Sequence, residues 1–238
     1  MNIKKIPGML LDAIYPPICP ICNEIVPAGK LICPACERLL SYVEEPICAK
    51  CGKPVDDDES LCRDCARGGH VYDEGRAVFI YDEYMSKSMY RFKYNGKQEY
   101  ARFYGRCMYE CLGPFIKSRN IEAIVPVPVH KKRLYERGYN QAYLLAKELS
   151  KRLEIPVCDH LVIRKTATKV QKNLSAASRQ NNLKKAFIAS GNVVKYKSVL
   201  IVDDIYTTGS TVDAVSAALK QGGVRKVYFV TLCIGRGS

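Results

Sequence analysis

Residues 199–211 read VLIVDDIYTTGST, and they decide the class of fold. The opening VLIV is apolar at every position, the pattern of a strand buried on both faces rather than on one. Asp203 and Asp204 come at its C-terminal end, the edge at which open α/β sheets bind ligands. Thr207, Thr208, Gly209, Ser210 and Thr211 then lead into TVDAVSAALKQ (211–221), a helical stretch closed by Gly222 and Gly223. The free N–H groups and positive dipole end of a helix start favour an anion. Gly209 lets the backbone approach a phosphate closely, and the four hydroxyls add donors. Each piece alone reads as a turn or a cap. In this order they read as a phosphate cradle beside paired acceptors for sugar hydroxyls.

The texture around this segment agrees. Residues 224–234 form a last strand downstream, and RAVFIY (76–81) an early one. A helix is expected from about Tyr84 to Lys93, ended by the FKYNG turn at Asn95-Gly96, and a second over 98–118. The second carries Phe103, Cys107, Met108, Cys111 and Leu112 as an apolar stripe, its two thiols read as core residues. IEAIVPVPV (121–129) is a strand entering a Pro-rich loop, and 138–153 is a helix with Leu145, Leu149 and Leu153 on one side. Strands alternating with helices predict a doubly wound, mainly parallel α/β sheet.

The rest of the chain has another composition. Of 238 residues, 37 are Lys or Arg and 24 are Asp or Glu, a net charge of +13. Residues 1–74 carry −4 and residues 75–238 carry +17, so the boundary between an N-terminal module and the α/β half is expected there. Eight of the twelve cysteines fall in four C-x-x-C pairs: Cys19/Cys22, Cys33/Cys36, Cys48/Cys51 and Cys62/Cys65. The first two pairs recur 29 residues later as the last two, an internal duplication. A two-residue gap aims both thiolates at one tetrahedral ion, and two such knuckles close a structural site. No secretory signal is legible at the N-terminus, so a cytoplasmic chain with reduced thiols is expected, and metal is favoured over disulfides. A thioredoxin-like role needs one such pair at a strand–helix junction, not four in series. Two structural zinc ions follow, each supplying on the order of 10 kcal/mol to a half too short to bury its own core. Self-contained repeats favour sequential over interleaved ligation, though the near-equal gaps do not settle it. His70 reads as a linker residue. No apolar run approaches the roughly 20 residues needed to cross a bilayer, so no membrane insertion is expected.

The segment VLIVDDIYTTGST resembles the phosphoribosyl-pyrophosphate (PRPP) signature of type I phosphoribosyltransferases. With VPVPVHKKRLYERGYNQA (125–142), RKTATKVQKNLSAASRQNN (164–182) and the four cysteine pairs, the chain is similar to the ComF (competence protein F) family over nearly its whole length. The resemblance implies a double zinc ribbon ahead of a phosphoribosyltransferase-like domain. It implies that Asp203 and Asp204 hold the ribose hydroxyls, that Thr207–Thr211 grip the 5′-phosphate, and that Mg²⁺ bridges the pyrophosphate. Arg133, Arg137, Asn140 and Gln141 take the place of the pyrophosphate loop, with arginine forks suited to phosphate. His130 beside them reads as a solvated loop residue. Gln171, Arg179 and Asn182 lie where type I enzymes place a flexible lid.

Further implications concern partners. The family is associated with uptake of transforming DNA, which implies a competence role and a helicase or other uptake protein as partner. Residues 164–197 hold nine Lys or Arg and no acid, more charge than one PRPP can use. Single-stranded DNA is the second polyanion expected, with Tyr94, Tyr135, Tyr139, Phe187 and Tyr196 as stacking candidates. The alternative is a non-enzymatic DNA-binding adaptor whose PRPP site is a sensor or vestigial. An acceptor pocket is expected from residues before about 120, including the FKYNG turn and the ribbons.

Overall fold

The computed structural model describes residues 16–27, 29–165 and 186–236. Its strands are β1 (Glu74–Ile80), β2 (Ala123–Pro126), β3 (Val162–Arg164), β4 (Phe187–Ala189), β5 (Ser198–Tyr206) and β6 (Lys226–Ile234). Its helices are α1 (Pro34–Glu37), α2 (Arg63–Ala66), α3 (Glu83–Tyr94), α4 (Tyr100–Lys117), α5 (Lys131–Arg137), α6 (Gln141–Leu153) and α7 (Ser210–Gln221). Four strands form an all-parallel sheet in the order β1-β6-β5-β2, as the uninterrupted apolar runs of β5 and β6 require. The strand predicted over 121–129 is confined to four residues. The helix predicted over 138–153 is α6, which starts at Gln141 behind its N-cap Asn140, whose side chain accepts from the Ala142 N–H. Just before it, α5 is a helix not predicted from the sequence, and it ends at Gly138 with φ +77°.

Alternate side chains of each strand feed two cores. Leu200, Val202, Val230 and Leu232 face α3, α4 and α6. Val199, Ile201, Val227 and Phe229 face α7 and the β3–β4 pair. On α4, Phe103, Cys107, Met108 and Leu112 are buried as expected, but Cys111 is exposed. Gly75 on β1 is needed because any Cβ there would lie 2.0 Å from the Phe229 ring.

The duplicated ribbons do not form a compact unit of their own. Cys19, Ile21, Val26, Ile32, Cys36 and Leu40 of the first ribbon belong to the α3/α4 core. All four cysteines of the second belong to the opposite core with Tyr72 and Phe229. The connection between ribbons runs antiparallel along the free edge of β1: Val43 N donates to Val78 O at 2.9 Å and Ile80 N to Ser41 O at 2.8 Å. One ribbon therefore caps each face of the sheet, and their linker covers its edge. At the other edge, Cys158 N donates to Ile124 O at 2.8 Å and Ile124 N to Pro156 O at 2.9 Å, which covers β2.

Within the ribbons the 29-residue repeat holds at the level of the backbone. The bridge between Ile18 and Ile25 recurs as Ile47 with Pro54. Asn23 (φ +68°) recurs as Gly52 (φ +78°), and α1 recurs as α2. Each left-handed residue closes its knuckle: Asn23 N donates to Cys19 O, and Gly52 N to Cys48 O, both at 2.9 Å.

Candidate functional site at the C-terminal edge of β5

β5 runs two residues further than the diacid, through Tyr206, so both acids lie inside the strand. Side-chain alternation therefore sends Asp203 and Asp204 to opposite faces. On the α3 face, Lys93 Nζ meets Asp204 Oδ2 at 2.9 Å, with both side chains less than a fifth exposed. Asp203 takes the backbone N–H of Asp204 on Oδ1 at 2.8 Å. Burial and the neighbouring Asp204 charge push the Asp203 carboxyl up to about 7, with Lys93 and Arg164 opposing the shift. Arg164, at the end of β3, is itself held below its usual range by burial and by the charge of Arg133. The sheet edge thus gathers two acids and three cations from four separate elements.

Immediately beyond, Thr207–Thr211 line a cleft of about 230 Å³ with Asp203, Ile205, Tyr206 and Val212. Gly209 is the N-cap of α7 at φ +80°, and the Asp213 N–H donates to its carbonyl at 2.8 Å, closing the first turn. Thr208 Oγ1 and Ser210 Oγ share a 2.9 Å hydrogen bond across the loop. The strand, diacid, loop and helix N-terminus therefore stand in the order the sequence predicts.

The residues assigned to a pyrophosphate loop are placed differently from one another. Arg133 is exposed on α5. Arg137 donates to Gln141 Oε1 at 2.9 Å and to Tyr94 Oη at 3.0 Å, its guanidinium 4.8 Å over the Tyr94 ring. Asn140 caps α6 and donates to Val127 O at 3.0 Å, while buried Gln141 reaches Phe92 O at 3.4 Å. Asn140 and Gln141 thus tie the loop to β2 and α3. His130 is the N-cap of α5, accepting from the Lys132 N–H. Gln171, Arg179 and Asn182 lie outside the described residues; the β3–β4 pair flanks their segment. Of the stacking candidates, Tyr94 and Tyr135 are exposed, whereas Tyr139 and Phe187 are buried and Tyr196 is half-buried against Cys158.

The linker reading of His70 is corrected. Its Nδ1 lies 2.7 Å from Asp213 Oδ2, and Val71 N donates to Asp213 Oδ1 at 2.8 Å. This contact spans 143 residues of chain, so no local pattern announces it. Lys93 was likewise hidden in a turn motif.

The eight ribbon thiols form two sets, Cys19/Cys22/Cys33/Cys36 and Cys48/Cys51/Cys62/Cys65, with all sulfur atoms of a set within 4.8 Å. Sulfur separations of 3.6–3.7 Å between knuckles match the edge of roughly 3.8 Å expected for a tetrahedron with 2.3 Å Zn–S bonds. The donor chemistry and spacing fit structural zinc, and ligation is sequential, not interleaved. Buried Lys53 pairs with Asp64 at 2.8 Å inside the second ribbon and holds that carboxyl below its usual range.

These features define a double zinc ribbon joined to a phosphoribosyltransferase-type α/β fold. The double zinc ribbon domain family matches residues 10–66, and the phosphoribosyl transferase domain family residues 140–238. The chain is 33% identical to competence protein F of Haemophilus influenzae over 201 residues, covering 82% of this chain and 87% of that protein. It is 30% identical to the DNA utilization protein YhgH of Escherichia coli K12, covering 91% and 89%. Glutamine PRPP amidotransferase from Bacillus subtilis aligns with a TM-score of 0.39 at 17% identity over 55% of this chain and 25% of that one. The chain belongs to the competence protein F family.

Proposed function

We propose that this chain binds PRPP with Mg²⁺ at the C-terminal edge of β5 and transfers its phosphoribosyl group to an acceptor, in the service of DNA uptake during competence. The observation that carries the reading is that Asp203, the Thr207–Thr211 cradle and the α7 N-terminus line one cleft, with Asp204 adjacent in β5 on the α3 face. In this reading Asp203 and Asp204 accept hydrogen bonds from the ribose hydroxyls, and the loop amides and hydroxyls hold the 5′-phosphate. Arg133 and Arg137 face the departing pyrophosphate. Mg²⁺, when bound, screens the pyrophosphate charge. As the bond from C1′ to the pyrophosphate oxygen breaks, the leaving group takes the electron pair and positive charge grows on the ribose. Positioning and electrostatic stabilisation dominate such a step. One zinc ion in each four-cysteine set holds the ribbons against the two sheet faces. The names of the relatives, competence protein F and DNA utilization protein, support a role in DNA use during competence, and in this reading that role is cytoplasmic.

Calorimetry with PRPP and Mg²⁺ tests the site. Binding is expected for the wild type and is lost in Asp203→Ala/Asp204→Ala; unchanged binding in that variant overturns the assignment. A screen of acceptor bases for pyrophosphate release tests catalysis, and no release with any of them leaves a binding protein only.

A second reading, a single-stranded-DNA adaptor, is favoured by one surface. Tyr90, Tyr94 and Tyr135 are 61%, 57% and 92% exposed. The first two rings lie 5.0 Å apart beside Arg137, and Lys131, Lys132 and Arg133 project from neighbouring α5. Base stacking on such rings is worth about 1–3 kcal/mol each. Salt-dependent oligonucleotide binding that weakens in Tyr94→Ala/Tyr135→Ala supports it; no binding at about 50 mM salt removes it. A helicase of the uptake machinery is the protein partner this reading calls for, testable by pull-down with the full zinc-loaded chain.

A further inference from the structure

Asp213 lies in the first turn of α7, directly behind the phosphate loop, and is only 7% exposed. A carboxylate there opposes an anion held at the same helix N-terminus. Both of its oxygens are taken by the segment that follows the second ribbon: Oδ2 by His70 Nδ1 at 2.7 Å and Oδ1 by the Val71 N–H at 2.8 Å. The carboxylate accepts, so Nδ1 carries the proton. The imidazole is fixed in turn by stacking on Tyr72 at 5.0 Å. Tyr72 is fully buried, its Oη 2.6 Å from Tyr206 Oη and 4.0 Å from Cys65 Sγ of the second ribbon.

These groups meet under the loop. A Cβ on Gly209 would lie 2.6 Å from Tyr206 Oη and 3.0 Å from His70 Cε1. The underside of the loop is therefore walled by one ring from β5 and one from the segment that follows the second ribbon. His70 Nε2 is buried and has no hydrogen-bond partner among the described residues. A buried imidazole nitrogen left unpaired is costly, and such groups persist where function requires them.

We propose that His70 is a positioning residue of the phosphate site, contributed by the zinc-ribbon half of the chain: by binding Asp213 it fixes the Gly209 turn and draws an opposing carboxylate away from the 5′-phosphate. The second ribbon is thereby part of the ligand site rather than an appended module. This rests on the reading of Thr207–Thr211 as a 5′-phosphate cradle.

The test compares ribose 5-phosphate with Mg²⁺-pyrophosphate as calorimetric probes on the full, zinc-loaded chain. His70→Ala is expected to weaken ribose 5-phosphate roughly tenfold, the effect of one charge-assisted hydrogen bond, and to leave pyrophosphate unchanged. His70→Asn, which can still donate toward Asp213, is expected to recover most of the loss. Zinc content and thermal midpoint, read in parallel, separate positioning from folding, because a merely structural role weakens both probes together and is not rescued selectively. If the wild type binds ribose 5-phosphate and His70→Ala binds it equally well, or loses both probes alike, the inference falls and the cradle stands. If the wild type binds no ribose 5-phosphate, the cradle reading falls and takes the inference with it.

Discussion

Lys93 and Asp204 form a 2.9 Å ion pair that joins the C-terminal turn of α3 to the middle of the sheet's ligand edge. It leaves one carboxylate of the diacid neutralised from the α3 face, while Asp203 on the other face carries the raised titration. The two acids are adjacent in sequence yet unequal in environment, and that inequality is what the tests below address.

Removing the lysine strands a half-buried carboxylate. Lys93→Met is expected to cost about 1–3 kcal/mol in urea unfolding at pH 8. In a cycle with Asp204→Asn the two losses are expected to be strongly non-additive, since each variant removes the same contact. Additive losses exclude a direct coupling.

Asp203 sets a pH dependence of defined sign. Its folded value of about 7 lies above the ordinary value of 3.8, so the folded protein binds this proton more tightly than the unfolded chain does. The contribution is complete below about pH 4 and is lost as pH rises through about 7. Thermal midpoints are therefore expected to drop between about pH 4 and 7 in the wild type and level off above, and Asp203→Asn to flatten that part of the curve. Identical slopes in the two proteins contradict the shift.

Gly209 and Gly68 both adopt positive φ, +80° and +75°, but only Gly209 is hemmed in. Ala at either position incurs the left-handed penalty of about 1–2 kcal/mol. Gly209→Ala is expected to lose more than Gly68→Ala, because its Cβ meets Tyr206 and His70, and to weaken phosphate binding, which Gly68→Ala leaves alone. Equal losses in denaturant unfolding indicate an open loop.

Sequential ligation has a stoichiometric consequence. Cys19→Ser/Cys33→Ser disturbs one sulfur set and is expected to retain one zinc per chain by elemental analysis. Cys19→Ser/Cys48→Ser disturbs both and is expected to retain none. The reverse pattern is that of interleaved sites.

Much of this architecture is local in origin and so was legible in the chain itself. The uninterrupted VLIV run specifies a doubly covered strand, the placement of Gly209 and the hydroxyls specifies the loop, and the 29-residue spacing of the cysteines specifies a duplicated knuckle whose backbone then repeats residue for residue. Each of these depends on neighbours within one turn or one strand. The partners of those elements do not. Which four sulfurs come together depended on how the two knuckles of each repeat pack against one another. That the ribbons lie on opposite faces followed from their linker pairing with the edge of β1. Gln141, with the look of a phosphate ligand, also reaches Phe92 O on α3, and His70, with the look of a linker, clamps Asp213 from 143 positions away. Composition and spacing fix what a segment can do with its immediate neighbours. The long-range contacts are selected by burial and shape across the whole chain, and only the folded molecule decides them.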